Sequence, residues 1–419
     1  MSRKLSRREF LAGLGAASVV AAGGYAVSTW TGANPFTSAS SKPGGSGPTP
    51  AGPRTLVLLE LTGGNDALNM VVPYGDPAYA SLRPTLGVKN PIDLDGHIGL
   101  SPKLTRLASE YKAGRLTIVE GIGVPQPDLS HFASLQRWWT GDPDLHATTG
   151  WLGRYLDRVV GRSDPMAGIG IGPGPSPVLA GEVSFSTAIT SADGLQPARL
   201  DADVRDALLG AWQSMVPAQP GDDLVGSVQR AIADTLDART RLARDLSGGT
   251  TATDDSGTPT LASALTLAAE LAASPDHPRA IHVHVEGDFD THEGEADRHP
   301  ALMADLDAGV KAFLAKLDEL HARDNVVLAT MSEFGRRAHE NGSGTDHGTA
   351  AAHLVLGTAA RGGRAGEPPS LTKLDDNGNL VATVDYRNYD ATLLSWLDPH
   401  ADLGAVFTGF TPKSLPLFR

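Results

Sequence analysis

The chain has 419 residues, a formal charge of −13 and no cysteine. The missing cysteine excludes disulfides, lipoprotein acylation, thiolate zinc sites and a cysteine nucleophile. The acidic balance argues against a nucleic-acid partner, whose phosphates need a basic face.

The first residues read as an address. Ser6-Arg7-Arg8-Glu9-Phe10-Leu11 precedes an Ala/Gly-rich apolar run ending near Ala26. Twin arginines before such a run mark the twin-arginine (Tat) export route. The run, roughly 16 residues, is short of the ~20 that a membrane span needs, so no stable span is expected after processing. Residues 1–26 are assigned to this segment. Residues 27–53, rich in Ser, Gly and Pro, are assigned to a flexible linker. One folded domain is expected over 54–419, in a periplasmic, extracellular or cell-envelope location.

Thr55–Leu61 is a nearly continuous apolar run, as expected of a strand buried on both faces. It ends in Gly63-Gly64-Asn65-Asp66, where the glycines permit a tight backbone and the polar pair can meet a ligand. A helix is predicted over Lys103–Ala113 and a strand over Leu116–Gly121. Helical spacing follows at His131–Trp139 and at Gly150–Val160, where Trp151, Leu152, Tyr155 and Val159 share a face. Ser130 and His131 stand where strand turns to helix. Ser130 is either a helix cap or a nucleophile, and His131 either a partly buried helix residue or a contact for an anion or metal.

Further helices are predicted over Leu224–Leu246 and Leu261–Ala273, separated by the polar loop Thr250–Pro259. The strand Ala280–Val285 carries His282 and His284 on one face, read as structural. It leads into Asp288-Phe289-Asp290-Thr291-His292, where Asp290 and His292 share a face if extended. A helix over Ala301–Arg323 and a strand over Val326–Met331 come next. Then follow Ser332-Glu333-Phe334-Gly335-Arg336 and Thr345-Asp346-His347-Gly348. Glu333 or Asp346 can supply a carboxylate, and Arg336 can bind an anion bidentately. A short strand over His353–Gly357, a hairpin arm over Leu380–Val384 and a helix over Tyr389–Leu397 close the chain. Asp375-Asp376-Asn377-Gly378-Asn379 reads as a turn.

Strands alternating with helices predict a mostly parallel sheet with helices on both faces. Polar groups at three strand ends, with histidine in two of them, place a candidate active site at the carboxyl edge of that sheet. Imidazole and carboxylate together suit zinc or another divalent cation.

The ordered set of motifs resembles the domain-of-unknown-function 1501 family, Tat-exported proteins placed in the alkaline phosphatase superfamily. The resemblance rests on Leu61-Thr62-Gly63-Gly64-Asn65-Asp66-Ala67-Leu68-Asn69 with Val72-Pro73, Leu129-Ser130-His131-Phe132 before Trp138, and Thr149-Gly150-Trp151-Leu152-Gly153-Arg154-Tyr155-Leu156. It extends to Asp290-Thr291-His292, Ser332 to Arg336, Gly344 to Gly348, and Asp385-Tyr386-Arg387. It implies an alkaline-phosphatase-like three-layer α/β/α sandwich. It also implies one metal on Asp66, Ser130, Asp346 and His347, and a second on Asp290, His292 and His353. Ser130 would be the nucleophile, with Asn65, His131 and Arg336 as oxyanion contacts. The cation would be zinc, or magnesium, calcium or manganese, and the substrate a small-molecule or envelope ester. Three departures stand out: the Asp-x-His spacing, the Phe334–Thr345 insertion before Asp346, and no Cys-x-Pro-x-Arg or Ser-x-Pro-x-Arg motif of the sulfatases. Two functions are compatible with these motifs: an exported metal-dependent hydrolase of phosphate or related esters, and a non-catalytic envelope binding protein.

Overall fold

The computed structural model describes residues 52–419 apart from 162–163, 185, 192–200, 222, 247–258 and 286. The export segment, nearly all of the linker and the polar loop before Pro259 lie outside the described residues. A nine-stranded sheet organises the rest. Its strands are β1 (Thr55–Glu60), β5 (Leu116–Gly123), β6 (Gly168–Ile171), β7 (Thr187–Ile189), β8 (Ala280–Val283), β9 (Val326–Met331), β10 (Ala351–Leu356), β11 (Gly363–Gly366) and β12 (Val384–Asp385). A separate small sheet holds β2 (Val71–Val72), β3 (Ile92–Asp93) and β4 (Gly99–Leu100).

The order across the main sheet is β11-β5-β10-β9-β1-β8-β6-β7, with β12 also on β5. β10 runs antiparallel to both its neighbours; every other pairing is parallel. β1 shows why the sheet sits centrally. Its side chains alternate in direction. Val57 and Leu59 join a core on one face, Leu56 and Leu58 a core on the other, and all four are buried.

Eleven α-helices occur among the described residues: α1 (Ala67–Met70), α2 (Pro77–Leu82), α3 (Thr105–Lys112), α4 (His131–Thr140), α5 (Trp151–Val159), α6 (Ala202–Met215), α7 (Leu224–Asp245), α8 (Leu261–Ala272), α9 (Glu295–Glu319), α10 (Tyr386–Leu397) and α11 (Leu403–Val406). The Val57 side is covered by α3, α7, α8 and α9, and the Leu56 side by α4, α5 and α10. The result is a mostly parallel sheet between two helical layers, as the motif pattern predicted. No helix among the described residues is long and apolar enough to cross a membrane.

Several boundaries differ from expectation. The helix predicted from Ala301 starts at Glu295 and carries Pro300 inside it, at its sixth residue. The helix predicted from Tyr389 starts at Tyr386, where the Asp385 side chain accepts from the backbone of Arg387. The predicted hairpin arm Leu380–Val384 is a single Leu374–Leu380 bridge followed by β12, which pairs in parallel with β5. Asp375–Asn379 is the turn between the bridge residues. Strands β6, β7 and β11, which have only three or four residues each, were not anticipated.

Candidate metal centre

The loops after β1, β8 and β9 meet at the carboxyl edge of the sheet. Gly63 and Gly64 make this possible, with φ of +117° and +77°. A Cβ at Gly63 would lie 2.4 Å from the backbone nitrogen of Asp290, and one at Gly64 2.3 Å from the Phe334 ring. No other residue type fits there. The Gly63 amide donates to Glu333 Oε1 at 2.8 Å. Arg336, fully buried, ties the three loops together. It donates to the carbonyls of Gly63, Gly64, Thr345 and Phe289 and to Asp290 Oδ1 at 2.5 Å.

Three histidines surround Asp290. Each has its Nδ1 facing an oxygen: His131 faces Glu333 Oε1 at 2.8 Å, His292 faces Asp346 Oδ1 at 3.2 Å, and His347 faces the Leu129 carbonyl at 2.9 Å. With the proton on Nδ1, that oxygen accepts it and the Nε2 lone pair is left for a cation; with the proton on Nε2, the ring donates to Asp290 instead. The Nε2 atoms turn towards Asp290. His292 and His347 reach its Oδ1 at 3.1 and 3.2 Å, and His131 reaches Oδ2 at 3.6 Å. Candidate ligand atoms of His131, Asp290 and His347 all lie within 4.8 Å of one another. His292 Nε2 is 2.9 Å from His347 Nε2. Two lone pairs so close repel, and either a proton on one ring or a cation between the rings removes the repulsion. Ligands about 2.0–2.1 Å from a tetrahedral zinc stand about 3.3 Å apart. The spacing, the donor set and the carboxylate- or carbonyl-anchored imidazoles therefore fit a divalent cation.

Electrostatics follow the same contacts. The Glu333 hydrogen bond raises the His131 pKa, and burial lowers that of His347. For Asp290, burial works against ionisation, but Arg336 outweighs it and the carboxyl stays below its ordinary range. The Asn341 amide, with His292 adding to it, lowers Asp346.

Other candidates lie apart from this cluster. Asp66 was expected to ligate the first metal. Its carboxylate is instead taken up by Arg83, at 2.6 and 3.1 Å, with no solvent exposure. Asn65 was expected as an oxyanion contact. It is buried, with its side-chain oxygen against His299 Nε2 at 3.1 Å. Arg336 was expected to bind the substrate anion, but its donors are committed to backbone carbonyls and Asp290. His353 was expected on the second metal. It is buried beside Trp138 and Tyr389, 5.1 and 5.7 Å between ring centroids. Burial pushes its pKa down to about 3. In each case a long-range packing partner, invisible in the local motif, claims the side chain.

Ser130 occupies the N-cap position of α4, yet its hydroxyl makes no capping bond. Its own backbone amide donates to Asp128 Oδ1 at 3.0 Å, and the residue is exposed. The preceding Leu129 holds φ at +60°, an uncommon conformation that presents its carbonyl to His347. His282 and His284 are stacked away from the cluster, with His282 between Ser176 and Glu60.

Sequence reading did not find the buried ionic group behind Asp66. Glu295, at the start of α9, accepts from Thr345 at 2.6 Å and lies 3.8 Å from Arg83. Burial first, then the charge of Asp66, raises its pKa to about 9. The only local hint was a glutamate three residues past His292.

The family described as "Protein of unknown function (DUF1501)" matches residues 117–386. The chain belongs to this family. No curated protein matches it. Among solved structures, Ps i-CgsB in complex with k-i-k-neocarrahexaose is 11% identical, covering 85% of this chain and 74% of that one, with a TM-score of 0.40. A protein in the alkaline phosphatase superfamily from Vibrio parahaemolyticus is 10% identical, covering 83% and 67%, with a TM-score of 0.39. Alkaline phosphatase from the Antarctic bacterium TAB5 is 11% identical, covering 74% and 93%, with a TM-score of 0.34.

Proposed function

We propose that this DUF1501 protein is an exported hydrolase of phosphate or related esters that depends on one divalent cation. The observation that carries the reading is the set of three oxygen-anchored imidazoles converging on Asp290. Asp290, His292, His347 and His131 would hold the cation. Zinc suits a nitrogen-rich donor set best, ahead of magnesium, calcium or manganese. When bound, it supplies Lewis acidity at an ester oxygen and offsets negative charge there. Glu333 and Asp346 would accept the Nδ1 protons of His131 and His292, the tautomer that leaves Nε2 free. The two-cation arrangement implied by the resemblance loses support, because Asp66 is paired with Arg83 and His353 is buried among aromatic rings.

Ser130 is the proposed nucleophile. Its hydroxyl is exposed and uncommitted to the helix, one residue from His131, and at the N-terminus of α4. The helix dipole there favours the negative charge that develops on the oxygen. Ser130→Ala is therefore expected to retain its metal and its melting temperature, since no capping bond is lost. Turnover of para-nitrophenyl phosphate should fall by several orders of magnitude. Near-wild-type turnover would remove Ser130 from the mechanism.

The reading is tested by metal analysis of purified protein together with para-nitrophenyl phosphate turnover before and after chelation. A cation near one per chain and turnover lost on chelation support it; a metal-free, inactive protein would favour the envelope binding protein. Export is proposed from the twin arginines alone. Replacing Arg7 and Arg8 together by lysine should retain the protein in the cytoplasm, as read by cell fractionation. Undiminished export would exclude the Tat route.

A further inference from the structure

A second concavity, of about 490 Å3, is built from different residues. His131, Asp290, His292 and His347 do not line it, and Arg336 is common to both places. Its origin is local. The pairing of β5 with β10 slips between Ala351 and His353, so Glu120 and Gly121 bulge against Ala352. Such bulges redirect side chains and open space beside a sheet. Ala350, Ala351, Ala352 and Ala67 leave that space unfilled. Leu68, Val71, Ile98, Leu371 and Leu380 complete apolar walls on several elements. The volume is that of a site for a drug-sized molecule, which is commonly apolar with a few convergent polar groups.

The polar groups are at the solvent side, where His97 and Ser370 are exposed. Arg364 donates to both oxygens of Glu120 at 2.7 and 3.1 Å and to Asp95 at 3.2 Å. Its charge is thus answered twice. Asp76 adds another carboxylate to the lining. All three nitrogens of Arg336 donate to backbone carbonyls or Asp290. Arg364 and Arg336 are thus each matched by a carboxylate, and Asp76, in no ion pair among the described residues, is the lining carboxylate left over. An anionic head group entering there would meet like charge, whereas a protonated amine would find acceptors.

We propose that this cavity is a binding site for a small cationic amphiphile, an alicyclic or aliphatic body carrying a protonated amine. Binding there needs no cation at the metal centre, although Arg336 lies between the two places.

Three probes with one apolar body separate the contributions: 1-aminoadamantane, 1-hydroxyadamantane and adamantane-1-carboxylate. Titration calorimetry of the full chain at pH 7 should show one site per chain for the amine. The carboxylate should bind at least tenfold more weakly, with the alcohol between. Leu68→Trp places bulk from a half-buried wall position, and Ser370→Trp does so from an exposed rim position, at the loss of the bonds its hydroxyl accepts from the amides of Thr372 and Lys373. Either variant that folds should weaken the amine at least tenfold. Glu120→Gln should narrow the gap between amine and carboxylate. The proposal is overturned if the amine gives no saturable binding, if the carboxylate binds as tightly, or if Ser370→Trp leaves the amine affinity unchanged.

Discussion

Asp290→Asn is expected to empty the metal centre while leaving the protein folded. Bound divalent metal, measured on dialysed protein, should fall from near one per chain to less than a tenth of that. Para-nitrophenyl phosphate turnover should fall with it, by at least a thousandfold. The residue is the point on which the three Nε2 atoms converge. It is also the sole carboxylate of the His131, Asp290 and His347 group. An amide is a far weaker ligand for zinc than a carboxylate, and it removes the charge that compensates the cation.

Asparagine is the informative replacement. Arg336 donates to Asp290 Oδ1, and deleting the whole side chain would take both that acceptor and the only ion-pair partner of a buried guanidinium. The amide oxygen keeps that bond but not the charge that answers Arg336, so the melting temperature is measured alongside the metal content to separate loss of metal from loss of structure. The Asp290 side chain is 41% exposed, which further limits the cost to the fold. Full metal occupancy in this variant would remove the cluster from consideration and leave a metal-free histidine–carboxylate array.

The frame of the molecule was legible because strand and helix periodicities are local. The run Thr55–Leu61 announced a strand with two buried faces, and its residues alternate between two cores. The Gly63-Gly64 pair announced a close approach, and the approaching atoms belong to Asp290 and Phe334. Asp290, His292, His131 and His347 were readable as candidate ligands because imidazole and carboxylate groups cluster in segments that follow strands, where open α/β sheets bind ligands. What was not legible is which polar groups are claimed by distant partners. Asp66 and His347 look alike in sequence, each a polar residue in a glycine-containing segment beyond a strand. Arg83, 17 positions beyond Asp66 and in no motif, decides that Asp66 is structural. Trp138 and Tyr389 decide the same for His353. Short strands such as Thr187–Ile189 carry too few residues to show a period at all.

The second large effect lies in that buried ionic group. Arg83→Met is expected to destabilise the protein by about 3–5 kcal/mol, the usual cost of leaving a buried charge unpaired. In thermal unfolding this corresponds to a drop on the order of 10 °C. Arg83 and Asp66 are both buried, and Arg83 also donates to the carbonyls of Ala338 and Arg337 at 2.7 and 2.8 Å. Removing it strands Asp66 beside Glu295. Adding Asp66→Asn should recover a large part of the loss, because the stranded group is then uncharged. The pH dependence separates this account from simple loss of packing. In the native protein burial opposes ionisation of Asp66, but Arg83 overcomes it, so the folded pKa lies below the unfolded value. That stabilisation is present above about pH 4 and is lost as pH falls through the folded value. Glu295 has the opposite sign. With its pKa raised to about 9, the folded state holds a proton that the unfolded state releases. Its contribution is full below the ordinary glutamate value and is lost as pH rises towards about 9. The gap in stability between wild type and Arg83→Met should therefore be wide at pH 7 and narrow as pH falls below about 4, where the unfolded carboxyl is protonated too. A gap that stays constant from pH 3 to pH 7 would assign the loss to packing of the arginine stem and not to its charge.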